Sequence, residues 1–368
     1  MRVGIVTFHH ANNYGSVWQV HALCEHLNAT GQSAAIIDYR SAAIEKAMRG
    51  WRWRDFGLDR RDRYQRRLEK RFRGFRRKQL LLTAKAYPSP EALRDDPPEM
   101  DAYITGSDQV WNPTYTGGRL DPGYFLDFGP PGVRRVAYAV SLGSGTLAER
   151  HHAEFARRVS CFDAISLREA TAVPLLRQVA GVEAGTVLDP VLLKGLPDSL
   201  ALRPKAARRR YLFAFRTNRD PFIDATVNAL SRQLGLRAYL ATAYSSARAR
   251  GREGMRAKQV CPTPCEWLGW IRHADLVVTN SFHATACSLL FRRDFLVAEI
   301  VTEARETNAR MHDLLETIGL ADRMVSAATA TRPAELARAP IDWDAVHDAI
   351  DRLRGRSSEF LRHALEGA

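Results

Sequence analysis

The sequence predicts an α/β protein of two doubly wound, Rossmann-like domains with a C-terminal helix strapping across them. Three observations carry that reading. Short apolar, β-branched runs alternate with helical stretches of about a dozen residues, as in parallel sheets covered on both faces. The alternation stops at a Pro-, Arg- and Ala-rich stretch through Pro204 to Arg210 and then restarts. The chain's 368 residues, 45 % of them hydrophobic, suffice for two domains.

In order, RVGIVTF (2–8) forms a strand, an amphipathic run follows from Ser16 to Leu27, and AAIIDY (34–39) is the next strand. DAYITG (101–106), RRVAYAVSL (134–142), DAISLR (163–168) and GTVLDP (185–190) continue the first series. The second comprises YLFAF (211–215), a helix to about Leu234, RAYLATA (237–243), ADLVVTN (274–280) and DFLVAEI (294–300). The expected domains are 1–205, with a basic helical insertion at 49–80, then 206–340, then the helix of 341–368, polar enough between Trp343 and Leu365 to lie across the surface.

Net charge is +13, and residues 49–78 alone carry +10 from 14 basic and four acidic side chains. Within that segment Tyr64, Leu68, Phe72 and Phe75 recur at helical spacing, Arg and Lys fill the other faces, and Trp51 and Trp53 precede them. The segment reads as a helix docked by its aromatic stripe with a solvated basic face, or as a peripheral contact with an anionic membrane surface. Nucleic acid is not expected, since no recognised binding module accompanies the charge. No window approaches the roughly 18 consecutive apolar residues of a membrane span, and no signal-peptide pattern precedes the first strand. Five Cys, an odd and sparse count, argue against a disulfide framework and fit a reducing cytosol.

Ligands of parallel sheets sit beyond the carboxyl ends of strands, so the polar residues there are the candidates. Asn13, Gly15 and Ser16 make a small polar turn before the first helix, either an anion-binding helix N-terminus or an ordinary Asn cap. Asp108 and Gln109 end a strand beside Trp111, whose flat ring suits a sugar; an Asx-turn with a packed Trp is the other reading. Arg168 is either a clamp for carboxylate or phosphate, or an ion-pair partner of Glu169 or Asp189. Gly143, Ser144 and Gly145, with Glu169 further on, match a dinucleotide-binding pattern loosely. Ser281 and His283 stand where a β-branched run enters a small-residue helix, a position for a catalytic imidazole or for a structural hydrogen bond. Cys261 and Cys265 lack a second pair, so no metal site is expected.

Taken in order, VTFHHANNYGSVWQ, IIDYR, GSDQVWNP, YFLDF, AYAVSLG, ISLRE, LDPVLL, ADLVVTNSFHATACSLLF and NARMHDLL resemble the polysaccharide pyruvyl transferase family over most of the chain. The resemblance implies a GT-B-like pairing of the two domains. It also implies transfer of the pyruvyl group of phosphoenolpyruvate onto two hydroxyls of a sugar in a cell-surface or exopolysaccharide glycan, with release of phosphate. Phosphoenolpyruvate is then the donor substrate, no separate cofactor is needed, and the acceptor is a glycan or lipid-linked oligosaccharide. The expected location is cytoplasmic, peripheral at the inner membrane face. By motif, His283 is implied as acid, base or phosphate ligand, and Arg168 as the anion clamp. Asn13, Gly15 and Ser16 lie across the cleft, Asp108, Gln109 and Trp111 face the acceptor, and Ser281, Asn308 and Arg310 complete the site. Where some members read Arg-Leu-His, this chain reads Ser281-Phe282-His283, leaving the missing guanidinium to Arg310 or Arg305. A GT-B-like glycosyltransferase using a nucleotide sugar is the alternative.

Overall fold

A computed structural model describes residues 1–49, 60–205, 209–218, 220–242, 256–301, 308–327 and 333–367. Trp51, Trp53 and Arg305 lie outside them. The first half runs β1 (Arg2–Val6), α1 (Tyr14–Ala29), β2 (Ser33–Tyr39), α2 (Ala42–Arg49), α3 (Arg60–Gln79), β3 (Leu82–Tyr87), α4 (Pro90–Asp95) and β4 (Ala102–Asp108). It continues with β5 (Arg134–Val140), α5 (His152–Val159), β6 (Ala164–Leu167), α6 (Val173–Ala180), β7 (Gly185–Thr186) and α7 (Pro190–Lys194). The second half holds β8 (Tyr211–Arg216), α8 (Pro221–Gln233), β9 (Arg237–Thr242), β10 (Lys258–Gln259), α9 (Pro264–Arg272), β11 (Leu276–Thr279) and α10 (Phe282–Leu290). It closes with β12 (Phe295–Ala298), α11 (Ala309–Thr317), β13 (Met324–Val325), α12 (Pro333–Arg338) and α13 (Trp343–Glu366).

These strands make two wholly parallel sheets, ordered β3-β2-β1-β4-β5-β6-β7 and β10-β9-β8-β11-β12-β13. Central strands are buried throughout, with every residue of β4 and of β8 buried and their polar residues, Asp108 and Arg216 among them, gathered at the carboxyl ends. In each sheet the strand order reverses beside the first strand of its series, β1 or β8. The carboxyl edges there are the places such folds keep for ligands.

Burial does not follow the two halves neatly. One apolar cluster joins Val3, Trp18 and Phe72 of the first half to Phe213, Trp267 and Phe295 of the second. Tyr14 on α1 stacks on Trp267 of α9 at 5.2 Å between ring centres and meets Phe215 at 5.6 Å. The seam between the sheets is therefore itself a hydrophobic core. The outer faces hold separate clusters, one in each half.

The aromatic stripe of the basic segment docks α3 on this seam. Phe72 lies 4.9 Å from Tyr14, Phe75 packs edge-on to Trp18 at 4.8 Å, and Tyr64 Oη donates to the Val260 carbonyl at 3.4 Å. Arg71 pairs with Glu266 on α9. Helix α13 returns the chain to the first half, where Ser357 Oγ accepts from Leu188 N at 2.9 Å and Arg354 Nε donates to Leu192 O at 2.6 Å. Among the described residues no helix is long and apolar enough to cross a membrane.

The run 185–190 departs from its expected form. Only Gly185–Thr186 is a strand; Asp189 instead caps α7, accepting from Val191 N at 3.0 Å, with Pro190 in the first turn. An Asp-Pro pair starts a helix more readily than it ends a strand, because Pro needs no hydrogen-bonded N–H there.

Candidate active site

The polar groups at the carboxyl ends of β4, β6 and β11 meet in the seam. Asp108 ends β4, Arg168 follows β6, Asp189 caps α7, and His283 sits in the first turn of α10. All four are buried. Asp189 Oδ2 is the hub, 3.1 Å from Arg168 Nη1, 3.3 Å from His283 Nε2, and accepting from Ser107 Oγ at 3.2 Å. Burial alone would raise its pKa, but His283, Arg168 and the Val191 N–H outweigh that and hold the carboxyl well below the usual range. Asp108 behaves alike: burial opposes its charge, and His283, Arg168, the Ser16 hydroxyl and Arg310 prevail. Its Oδ2 accepts from Ser16 Oγ at 2.7 Å and its Oδ1 lies 3.7 Å from Arg168 Nη2. The Asp108 backbone sits at φ 81°, a left-handed conformation costing on the order of 1–3 kcal/mol for a non-Gly residue.

Arg168 thus forms the ion pair with Asp189 that was one of its two readings, buried rather than on the surface. The pairing does not exhaust it. Its Nε and Nη2 have no hydrogen-bond partner, and the same holds for Arg310 Nε, whereas His283 Nε2 has Asp189 Oδ2 as its ion-pair partner. The guanidinium lies 4.6 Å from the centre of the Phe282 ring, which fixes its plane. Arg310, near the start of α11, joins the cluster through Gln109. With the Gln109 amide oxygen turned toward it, the two Arg310 Nη atoms stand 3.2 and 3.3 Å away. Burial and the like charge of Arg168 lower the Arg310 pKa, a repulsion that an incoming anion would relieve.

Gly15 meets the ring from across the seam. A Cβ at this position would overlap His283 Nδ1, so only glycine lets the imidazole lie against α1. Nδ1 makes no hydrogen bond with any described residue, whereas Nε2 is turned to Asp189.

Several expectations are corrected. Asn13 Oδ1 accepts from Gly15 N at 2.9 Å and from Ser16 N at 3.4 Å, so those two amides are not free to bind an anion. Trp111 is 1 % exposed, stacked on Phe125 at 5.1 Å with its Nε1 donating to Tyr124 O, and offers no ring face to a sugar. Asn308 uses both ends of its amide on the Ile300 backbone, at 3.0 Å each, and braces the exit of β12. Ser281 Oγ caps α10 through Ala284 N at 3.4 Å. Glu169 is wholly buried and braces the loop after β5: its Oε1 accepts from Ser141 Oγ, Leu142 N and Gly143 N, its Oε2 has no partner, and burial raises its pKa. Asp189 was noted only as a partner for Arg168; its signal was the strand-to-helix Asp-Pro step.

Two parallel sheets with a polar cluster in their seam define a GT-B-like architecture. The S. aureus MnaA–UDP co-structure shares it over 99 % of this chain and 97 % of its own, at 10 % identity and a TM-score of 0.52. The Methanocaldococcus jannaschii UDP-GlcNAc 2-epimerase in complex with UDP-GlcNAc and UDP does so over 96 % and 99 %, at 11 % identity and the same TM-score of 0.52. At such identity these likenesses speak for the fold alone. No curated protein matches the chain in sequence. The chain belongs to the polysaccharide pyruvyl transferase family, whose model matches residues 13–298.

Proposed function

We propose that the protein moves the pyruvyl group of phosphoenolpyruvate onto two hydroxyls of one sugar in a cell-surface or exopolysaccharide glycan, forming a cyclic ketal and releasing phosphate. The observation that carries this reading is the pair of guanidinium groups, buried Arg168 and half-buried Arg310, with unpartnered nitrogens beside one imidazole. A donor with both a carboxylate and a phosphate needs two cationic forks. Arg310 supplies the guanidinium that Ser281 does not.

Asp189 beside Nε2 holds a proton there and orients the His283 ring, leaving Nδ1 to exchange a proton with substrate. Proton delivery to the donor's methylene carbon turns it into a methyl group and makes the adjacent carbon electrophilic. One sugar hydroxyl then attacks that carbon and returns a proton to the imidazole. A second hydroxyl displaces phosphate, which leaves with the remaining proton. Asp108 and Gln109 line the acceptor side. The basic outer face of α3 supports a peripheral contact with an anionic membrane surface, where a lipid-linked acceptor would be met.

The test is phosphate release from phosphoenolpyruvate with glycans of the host as acceptors, alongside mass analysis for the ketal. His283→Asn is expected to lower turnover by about 10²–10⁴-fold, the range for a positioned acid–base group, and Arg168→Gln to weaken phosphoenolpyruvate binding as well, by about tenfold or more, through loss of a charged fork. No release with any acceptor, together with saturable binding of a nucleoside diphosphate, would favour a nucleotide-sugar glycosyltransferase instead.

A further inference from the structure

A second cavity, of about 450 Å³, opens on the same carboxyl edge of the first sheet. The residues after β1 and β2 supply His9, His10 and Arg40, β2 supplies Asp38, and α3 closes the space with Glu69, Arg73, Arg76 and Arg77. Strands β1 and β4 are neighbours, about 4.8 Å apart, so the loop after β1 that lines the cavity leaves the sheet beside the strand that ends in Asp108. The loop that carries His10 continues directly to Asn13, Gly15 and Ser16.

Most charges lining this cavity are already matched. Asp38 accepts from Arg40 Nε at 3.0 Å and Nη2 at 2.7 Å, and lies 3.0 Å from His9 Nε2. Glu69 accepts from Asn12 Nδ2 at 2.6 Å, and Arg76 Nη1 donates to Asn12 Oδ1 at 3.1 Å. Glu45 also lines the space and has its own partners. Three groups are left over. Arg73 and Arg77 are exposed and pair with no described residue. His10 is 4 % exposed, and neither of its ring nitrogens has a hydrogen-bond partner. Burial, then the neighbouring His9 and Arg76, lower the His10 pKa well below the ordinary value, so the ring is neutral and offers one donor and one acceptor.

A neutral imidazole with both positions vacant can donate to one sugar hydroxyl and accept from a second. Two free guanidinium groups at the rim suit phosphate oxygens. We propose that this cavity binds a sugar carrying a phosphate or diphosphate ester, and that the ester holds the acceptor while its hydroxyls reach His283. The catalytic half of this statement rests on the pyruvyl-transfer reading; the binding half does not.

Calorimetric titration of the full chain with inorganic pyrophosphate, galactose 1-phosphate and galactose tests the binding. The two phosphorylated probes are expected to bind, and galactose to bind about tenfold more weakly or not at all. The surface double variant Arg73→Glu, Arg77→Glu should weaken both phosphorylated probes about tenfold or more while phosphoenolpyruvate binding stays within about twofold. Galactose linked through diphosphate to uridine or to a short isoprenoid separates the two sources of the ester. Competition by either supports the assignment, and the better competitor names the source. Absent pyrophosphate binding, or binding undiminished in the double variant, overturns it. Binding retained without any phosphoenolpyruvate turnover would instead overturn the pyruvyl-transfer reading and leave the cavity's assignment in place.

Discussion

Gly15 leaves no room for a side chain, since a Cβ there collides with the His283 imidazole. Because it lies in a helix, where Ala is preferred over Gly by about 1 kcal/mol, Gly15→Ala separates folding from function. Phosphate release from phosphoenolpyruvate should fall about tenfold or more while thermal unfolding stays cooperative and near the wild-type midpoint; unchanged turnover would show that the ring does not need its place. Single residues differ in how legible they were. His283, Arg168 and Asp108 stood out because polar groups at the carboxyl ends of parallel strands converge by topology. Trp111 misled because a Trp beside a polar turn looks the same whether its ring faces a ligand or, as here, three phenylalanines.

Helix α3 shows what a periodic pattern conveys. The spacing of Tyr64, Leu68, Phe72 and Phe75 announced a docked helix with a charged outer face, and Leu68, Phe72 and Phe75 are indeed buried. The pattern was silent on the docking partners, which are α1 of one half and α9 of the other. Phe72 is wholly buried at that junction, so Phe72→Ala should cost about 3–5 kcal/mol of unfolding free energy by chemical denaturation. A loss below about 1 kcal/mol would mean that the helix is not anchored there. The same limit applies to the run 185–190, where apolar residues allow a strand and an Asp-Pro step allows a helix start. Neighbours decided for the helix, and placed Asp189 at the hub of the site.

Across the two halves, the seam combines a continuous apolar core with buried charges, and this makes acid its natural weakness. Asp108 and Asp189 titrate below their ordinary value in the fold. A depressed carboxyl contributes stability fully above the unfolded value, near pH 4, and loses it as pH falls further. Unfolding free energy should therefore drop below about pH 4 with up to roughly 1.4 kcal/mol per pH unit for each such group. In Asp189→Asn that slope should lessen by about one proton, although stability at neutral pH also falls because Arg168 loses its buried partner. An unchanged acid slope would refute the assignment. Alternation of apolar runs was enough to set the fold class, and the order of short polar motifs was enough to set the family, because both are local and survive as spacing along the chain. The hub carboxylate, the glycine behind the imidazole, the shared core and the second cavity arise where segments far apart in sequence touch. Distances across a seam are a property of packing, and only the folded chain contains them.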